Sequence, residues 1–271
     1  MTTVPALPEC QHFLLERDDD WLTAWFNRPD ARNALSKEVS AELAAVAAAV
    51  REDRSLRGIT LRGKGRVFCA GGDIKGFQSV FQGGEQNLDD VAAANAATGE
   101  LFQAINTLPQ VVVVLVQGAA IAGGLGLACC GDIVVSTRDA LYSMTETQIG
   151  IVPAQIAPFV IGRIGLPAAR RLMLTGGRFR GEEAGRLGLA DHVVSTEAAL
   201  EATELEIRTG VRSCSPAANA ETKALLMALP RLSPEDARQA GGYAFARCML
   251  SEEGREGVAS FIEKRKPRWA E

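Results

Sequence analysis

Two glycine-rich segments contain main-chain groups that could do chemistry. Each follows an apolar run: Ala70 lies in "FCAGGD" and Gly123 lies in "IAGGLG". Glycine has no Cβ to block a ligand and tolerates positive φ, so free N–H groups in such segments can bind a ligand oxygen. If the two preceding strands lie side by side, the amides of Ala70 and Gly123 would form an oxyanion hole. On glycine content alone, a pair of tight turns remains the alternative.

Histidine and cysteine offer no other obvious reaction centre. The chain has only His12 and His192, which nearly excludes a Ser-His-Asp triad or a multi-histidine metal site. Its six cysteines include no C-x-x-C pair, and the adjacent Cys129 and Cys130 cannot chelate one metal comfortably. We therefore expect no metal, and we expect the cysteines to be reduced, buried, small hydrophobic residues. Catalysis falls to carboxylates, backbone amides or a single polar side chain.

The bulk composition indicates a protein that acts on a small molecule. The 271 residues include 29 basic and 33 acidic side chains, for a net charge of −4. This balance creates no global field that would attract nucleic acid or acidic lipid. The apolar runs are too short to span a bilayer, and the N-terminal residues do not resemble an export signal. We expect a cytoplasmic protein with neither nucleic acid nor a membrane as a partner.

Strands and helices alternate in a pattern that predicts an α/β fold. The runs "HFLLER" and "WLTAWFN" predict an opening hairpin, and Ser36 is the expected N-cap of an alanine-rich helix. Further strands are predicted in "GITLRG", "VVVVLVQG", "DIVVST" and "LYSM". Because glycine loops recur after strands, we expect stacked ββα turns rather than one flat sheet. Helical spacing dominates later, so we divide the chain into a core of residues 1–200 and a helical region of residues 201–271.

A dinucleotide-binding motif is a poor explanation for the second glycine segment. Gly124 and Gly126 begin a G-x-G-x-x-G pattern, but Cys129 stands where the third glycine belongs. The segment is therefore not expected to bind a dinucleotide.

Several motifs together resemble the enoyl-CoA hydratase/isomerase, or crotonase, family. They occur in the family's order over nearly the whole chain: "FNRPDARNALS", "FCAGGDIKGF", "VQGAAIAGGLGLACCGDIVVS", "MTETQIGIVPAQIAPFVIGRIG", "LTGGRFRGEEAGRLGLADHVV" and "EGVASFIEKRKPRW". The resemblance implies a crotonase-like spiral of ββα turns, with a C-terminal helical region that forms homotrimers or dimers of trimers. It also implies an acyl-CoA substrate, with coenzyme A as part of that substrate and no separate cofactor.

The same resemblance assigns roles to individual positions. The thioester oxygen would be bound by the amides of Ala70 and Gly123, because fixed N–H donors stabilise the enolate that forms there. Lys264 belongs to a basic cluster that would contact phosphates, unless it is only a solvated helix end. The positions expected beside adenine and pantetheine are Arg28, Ala31, Arg32, Asp73 and Ile74.

The carboxylates depart from the family's usual hydratase pattern. Hydratases of this family hold one water molecule with two glutamates, and at the first of these positions this chain has Gly126. The second position is Glu146, which without the resemblance would be taken for a solvated surface residue. A single carboxylate suits either double-bond isomerisation, as in Δ3,Δ2-enoyl-CoA isomerases, or a syn hydration in which one group moves both protons.

A finer resemblance favours hydration. The segments "GLGLACCGD", "IGIVPAQIAPFVIGRIG" and "EKRKPRW" are similar to isohexenylglutaconyl-CoA hydratases of acyclic terpene degradation. Such a substrate has two substituents on its β-carbon, and Gly126 would provide room for them. A substrate carboxylate would also repel a second glutamate in a low-dielectric pocket. A catalytically silent CoA-binding protein is the third alternative.

Overall fold

The computed structural model describes residues 6–73 and 87–271. Its strands are β1 (Phe13–Asp18), β2 (Trp21–Phe26), β3 (Gly58–Gly63), β4 (Val111–Val116), β5 (Ala119–Ile121), β6 (Ile133–Thr137), β7 (Leu141–Ser143), β8 (Arg178–Arg180) and β9 (His192–Val194). Its helices are α1 (Lys37–Glu52), α2 (Leu88–Asn106), α3 (Gly123–Cys129), α4 (Ala157–Thr175), α5 (Gly181–Arg186), α6 (Glu197–Arg212), α7 (Pro216–Ala228), α8 (Pro234–Leu250) and α9 (Glu252–Glu263). The predicted alternation of strands and helices is confirmed.

The strands form two sheets. The larger has the order β1-β2-β3-β4-β6-β9, and the smaller has the order β5-β7-β8. The predicted hairpin pairs β1 with β2 antiparallel, whereas β2, β3, β4, β6 and β9 run parallel. The parallel run of the larger sheet therefore ends at one common edge.

The apolar strand β4 lies at the centre of the larger sheet. Val114 packs into the main core, whereas Val113 and Leu115 pack on the opposite face with Trp21 and Leu200. A strand that is buried on both faces needs apolar residues at every position, which explains the unbroken run "VVVVLV".

Helix α1 begins at the predicted cap. The Ser36 hydroxyl accepts a hydrogen bond from the Val39 N–H at 3.3 Å, which satisfies one of the unpaired donors of the first turn. The helix buries one face that consists of Val39, Leu43, Val46, Ala47 and Val50.

Helix α6 is bound to the larger sheet by a buried polar contact. The Glu204 carboxylate accepts hydrogen bonds from the Thr60 hydroxyl and the Arg208 guanidinium. Residue 200, where the sequence was divided, lies inside this helix.

The second glycine segment is not a turn. Its residues from Gly123 to Cys129 form helix α3, which is buried from Gly124 onward. The run of small residues lets this helix approach its neighbours: a Cβ on Gly124 would lie 2.3 Å from the Cys69 carbonyl oxygen.

The cysteines are free, and their burial is only partly as predicted. Cys69, Cys129 and Cys130 are buried, but Cys214 is exposed on the surface near the end of α6. Within residues 6–73 and 87–271, no three side chains of His, Cys, Asp or Glu are grouped to hold a metal ion. Over the same residues, no helix is both long and apolar enough to cross a membrane.

Candidate active site

Three parallel chain segments, residues 69–72, β5 and β7, end at the same edge. Residues 69–72 pair with β5 through Cys69, whose N–H donates to the Ala119 carbonyl at 3.1 Å. Strand β5 in turn pairs in parallel with β7, with Ile121 opposite Ser143. Gly72, Gly123 and Glu146 follow these paired residues, so the topology places them at one edge.

Gly123 presents its amide at the first residue of helix α3. The first hydrogen bond of that helix is donated by the Gly126 N–H to the Ala122 carbonyl at 3.0 Å. The Gly123 N–H lies before this bond and therefore has no partner within the helix. Ala122 has a φ of 49° and a ψ of −119°, a conformation that suits glycine and strains alanine. Its own N–H donates to the Ser143 carbonyl at 2.8 Å, which fixes the chain just before Gly123.

The prediction for Ala70 is wrong for a structural reason. The Ala70 N–H already donates to the Arg32 carbonyl at 3.0 Å, so it is not available to a thioester oxygen. Three residues later, the Asp73 N–H donates to the Leu35 carbonyl at 3.2 Å. The Gly71 carbonyl accepts a hydrogen bond from the Leu35 N–H at 2.8 Å. Because the C=O and N–H of one trans peptide group point in opposite directions, the Gly72 N–H points away from residues 32–35.

Gly72 takes the place that the sequence had assigned to Ala70. A Cβ built on Gly123 would lie 3.7 Å from the Gly72 nitrogen, so the two amides are close neighbours. Within the described residues, neither amide has a main-chain hydrogen-bond acceptor. The close approach of the chains also requires Gly71, where a Cβ would lie 2.6 Å from the Ile121 carbonyl oxygen.

Glu146 is buried rather than solvated. It begins a 3₁₀ turn, Glu146–Ile149, two residues beyond the end of β7, and only 8 % of the residue is exposed. Its Oε2 atom has no hydrogen-bond partner among residues 6–73 and 87–271. Burial raises the pKa of this carboxyl above its usual range. An unpaired buried carboxylate oxygen with a raised pKa is typical of a functional acid or base.

Gly126 does not leave open space. A Cβ at this position would lie 2.1 Å from the Cγ2 methyl of Ile156, a residue that is itself 4 % exposed. The expectation that Gly126 provides room for a substituted β-carbon is therefore wrong, because Ile156 already fills the volume.

The structure brings the predicted CoA-binding loop to the first glycine segment. Arg28 and Arg32 flank the 3₁₀ turn Pro29–Ala31, and residues 32–35 pair with residues 70–73. Arg32 is exposed and Arg28 is half-buried. Asp73 lies in this pairing, whereas Ile74 is outside the described residues.

Other polar side chains of the family motifs are already engaged or remote; Arg163 and Gln155, both in "MTETQIGIVPAQIAPFVIGRIG", could otherwise have received a substrate carboxylate or placed a water molecule. Arg163 pairs with Asp191 at 3.1 Å and donates to the Gly131 carbonyl, so it is not free to receive a substrate carboxylate. Gln155 donates to Asn95 at 2.8 Å. Lys264 is exposed at the end of α9, and among the described contacts none joins it to the strand edge. Its phosphate contact stays a prediction.

Sequence reasoning missed Gly72 and Ile156. No signal in the sequence identified Gly72, because the direction of its N–H follows from the hydrogen bond between the Leu35 N–H and the Gly71 carbonyl, which joins distant segments. No signal pointed to Ile156, since its contact with Gly126 joins residues that are separated by a strand pair and a loop.

Comparison with known proteins agrees with this fold and site. The model of the family "Enoyl-CoA hydratase/isomerase" matches residues 22–271. Pseudomonas aeruginosa AtuE is 44 % identical, with a TM-score of 0.93 over 96 % of this chain and 100 % of that structure. An enoyl-CoA hydratase/isomerase from Marinobacter aquaeolei is 40 % identical, with a TM-score of 0.92 over 97 % and 100 %. Carnitinyl-CoA dehydratase of Proteus mirabilis is 32 % identical over 90 % of this chain and 92 % of its own.

The chain belongs to the enoyl-CoA hydratase/isomerase family. It is an enzyme of the crotonase superfamily, and the predicted crotonase-type fold is confirmed. Membership also supports hydratase-type chemistry on an acyl-CoA.

Proposed function

We propose that this enzyme adds water to the α,β-double bond of an enoyl-CoA, with Glu146 as its single acid-base group. One observation carries the proposal: among the described residues, the buried Oε2 atom of Glu146 has no hydrogen-bond partner, and it belongs to the same strand edge as the amides of Gly72 and Gly123, which have no main-chain acceptor. The combination provides donors for an oxygen and a base beside them.

The two amides would act on the thioester carbonyl. Their N–H groups donate to its oxygen, and they stabilise the negative charge that grows there as an enolate forms. Both donors belong to the main chain and are fixed before the substrate arrives, so no reorganisation is needed during the reaction.

Glu146 would move both protons. Its carboxylate takes a proton from water while the water oxygen forms a bond to the β-carbon, and the π electrons move to the thioester oxygen as an enolate. The carboxyl group then returns that proton to the α-carbon as the enolate collapses, so the net change is addition of one water molecule. Because one group serves both carbons, hydrogen and hydroxyl add to the same face of the double bond.

The proposed substrate is a 3-branched enoyl-CoA, specifically isohexenylglutaconyl-CoA or a related 3-substituted glutaconyl-CoA from acyclic terpene degradation. Position 126 has no carboxylate, and Ile156 supplies an apolar methyl group there. An apolar wall suits an alkyl branch on the β-carbon, and the absence of a second carboxylate avoids repulsion of a carboxylated substrate.

Absorbance of the conjugated thioester separates this reaction from its alternatives. Hydration of isohexenylglutaconyl-CoA or crotonyl-CoA should remove that absorbance. A Δ3,Δ2-enoyl-CoA isomerase would instead create it from a 3-enoyl-CoA, with Glu146 moving one proton between carbons. A silent CoA-binding protein would produce neither change, and this result would overturn the proposal.

The variant Glu146→Gln tests the assigned base. It retains the size of the side chain but removes the carboxylate, so the hydration rate should fall by about 10² or more. Glu204→Gln is the matched control, because Glu204 is also 8 % exposed but contacts Thr60 and Arg208 on the opposite face of the sheet. Both should be assayed at a temperature where they are folded, and an unchanged rate for Glu146→Gln would exclude the mechanism.

We infer that the working enzyme is a homotrimer or a dimer of trimers. Helices α8 and α9 expose large apolar side chains, including Phe245 at 70 % and Phe261 at 87 %. Such surfaces usually mark an interface. Sedimentation velocity of the purified chain tests this inference, and a monomer at assay concentration would contradict it.

A further inference from the structure

We propose that Asn33 is a positioning residue for the oxyanion hole. Its buried side chain holds the loop that pairs with residues 70–73, and through this pairing it sets the direction of the Gly72 N–H. The inference depends on the proposed function, because it assigns a purpose to the Gly72 amide.

The Asn33 side chain forms hydrogen bonds to two loops at once, and we call it a clamp for this reason. It is 1 % exposed, and its Oδ1 accepts a hydrogen bond from the Arg28 N–H at 2.9 Å. Its Nδ2 donates to the carbonyls of Lys64 and Val67, at 3.1 and 2.7 Å. One amide therefore joins the loop after β2 to the loop after β3.

The backbone at the clamp has the left-handed conformation. Asn33 has a φ of 54° and Arg32 has a φ of 51°. Asparagine tolerates this conformation better than most residues. The two residues turn the chain so that residues 32–35 run alongside residues 70–73.

Three main-chain hydrogen bonds transmit this arrangement to the glycine segment. The Ala70 N–H donates to the Arg32 carbonyl at 3.0 Å, and the Leu35 N–H donates to the Gly71 carbonyl at 2.8 Å. The Asp73 N–H donates to the Leu35 carbonyl at 3.2 Å. With residues 70, 71 and 73 bonded on one side, the Gly72 N–H faces the other side, toward Gly123.

Loss of the clamp should misdirect the Gly72 donor without removing it. Asn33→Asp retains the acceptor for the Arg28 N–H, but it replaces the two N–H donors by an oxygen that faces two carbonyls. Asn33→Gly removes the side chain while it accepts the positive φ, so it separates loss of the clamp from backbone strain.

Gln110→Glu is the matched control. Gln110 is also buried, and its side-chain amide donates to two carbonyls, those of Val50 and Asp53. It lies just before β4, at the opposite end of that strand from the site. This substitution should cost stability in the same way but leave the oxyanion hole unchanged.

The readout is the absorbance band of bound 4-(dimethylamino)cinnamoyl-CoA, which moves to longer wavelength when its carbonyl is polarised. The wild type and Gln110→Glu should show the full shift, whereas both Asn33 variants should show a clearly smaller one. In the hydration assay, kcat of the Asn33 variants should fall on the order of tenfold, with a smaller change in KM. Circular dichroism of each variant establishes that it is folded.

Two outcomes would overturn the inference in distinguishable ways. If the wild type binds the probe without a shift, the proposed carbonyl site is wrong and the role of Asn33 falls with it. If the wild type shows the shift and folded Asn33→Gly and Asn33→Asp show the same shift and kcat, only the inference about Asn33 is wrong.

Discussion

The Cγ2 methyl of Ile156 occupies the space beside Gly126 that any side chain at position 126 would need. A Cβ there would lie 2.1 Å from this methyl and 2.5 Å from the Ile156 Cβ. Since Ile156 is branched and buried, it cannot rotate away at low cost. Packing against Ile156 therefore excludes a glutamate, or any other side chain, from position 126 in the first turn of helix α3.

Overpacking at this pair is testable by a double-mutant cycle. Gly126→Ala should lower the free energy of unfolding by about 1–3 kcal/mol, because the added methyl collides with Ile156. In an Ile156→Ala background the same substitution should cost much less, since the colliding methyl is gone. Urea denaturation of the four proteins measures the coupling, and additive effects would mean that the two side chains do not share one space.

Removal of the Glu146 charge should stabilise the protein at neutral pH. Burial raises the pKa of this carboxyl in the folded state, so the folded protein holds the proton more tightly than the unfolded chain does. The cost of ionisation is absent below the ordinary glutamate pKa and is fully present above the raised pKa. Glu146→Gln should therefore be more stable than the wild type at neutral pH, and the difference should vanish as the pH falls through this window.

Glu204→Gln should change the stability of the protein in the opposite direction to Glu146→Gln. It removes the carboxylate that accepts hydrogen bonds from Arg208 and Thr60, so it should lower stability at neutral pH by about 1–3 kcal/mol. Equal effects of the two substitutions on thermal unfolding would contradict the buried, unpaired state of Glu146.

The activity of the enzyme should also depend on the raised pKa of Glu146. The proposed mechanism begins with a carboxylate, so kcat/KM should fall with acid from a higher pH than an ordinary glutamate would give. The dependence of kcat/KM for hydration on pH measures this fall. A fall in kcat/KM centred on the ordinary glutamate pKa would contradict the raised pKa that burial gives Glu146.

The strained Ala122 predicts a stabilising substitution. With a φ of 49° and a ψ of −119°, alanine pays a strain that glycine avoids, and this gain exceeds the added entropy of the unfolded chain. Ala122→Gly should raise the free energy of unfolding by about 1 kcal/mol and leave the hydration rate unchanged. Ala119→Gly, at a strand position of β5, is the control and should lower stability instead.

Arg163 should prove structural. Its guanidinium is committed to Asp191 and to the Gly131 carbonyl, at 3.1 and 2.8 Å. Arg163→Met should lower stability by about 1–3 kcal/mol, while it leaves unchanged the ratio of kcat/KM between carboxylated and uncharged enoyl-CoA substrates. A selective loss with the carboxylated substrate would show that Arg163 receives the substrate carboxylate.

The sequence alone determined the local elements and the family. The Ser36 cap, the hairpin and the apolar run of β4 depend on short-range pattern and on burial of both strand faces, and the structure contains each of them. The motif order likewise led to a family that the comparisons confirm.

Only the tertiary structure decided which groups are free to act. The Ala70 N–H is excluded because it donates to the Arg32 carbonyl, whereas the Gly72 N–H is directed to the other side because the carbonyl of the same peptide group, that of Gly71, accepts from Leu35. The space at Gly126 was decided by Ile156, thirty residues away in the chain, and the burial of Glu146 by the strand edge beyond which it lies. Hydrogen bonds and excluded volume between distant segments depend on how those segments pack, and no local pattern of residues encodes that packing.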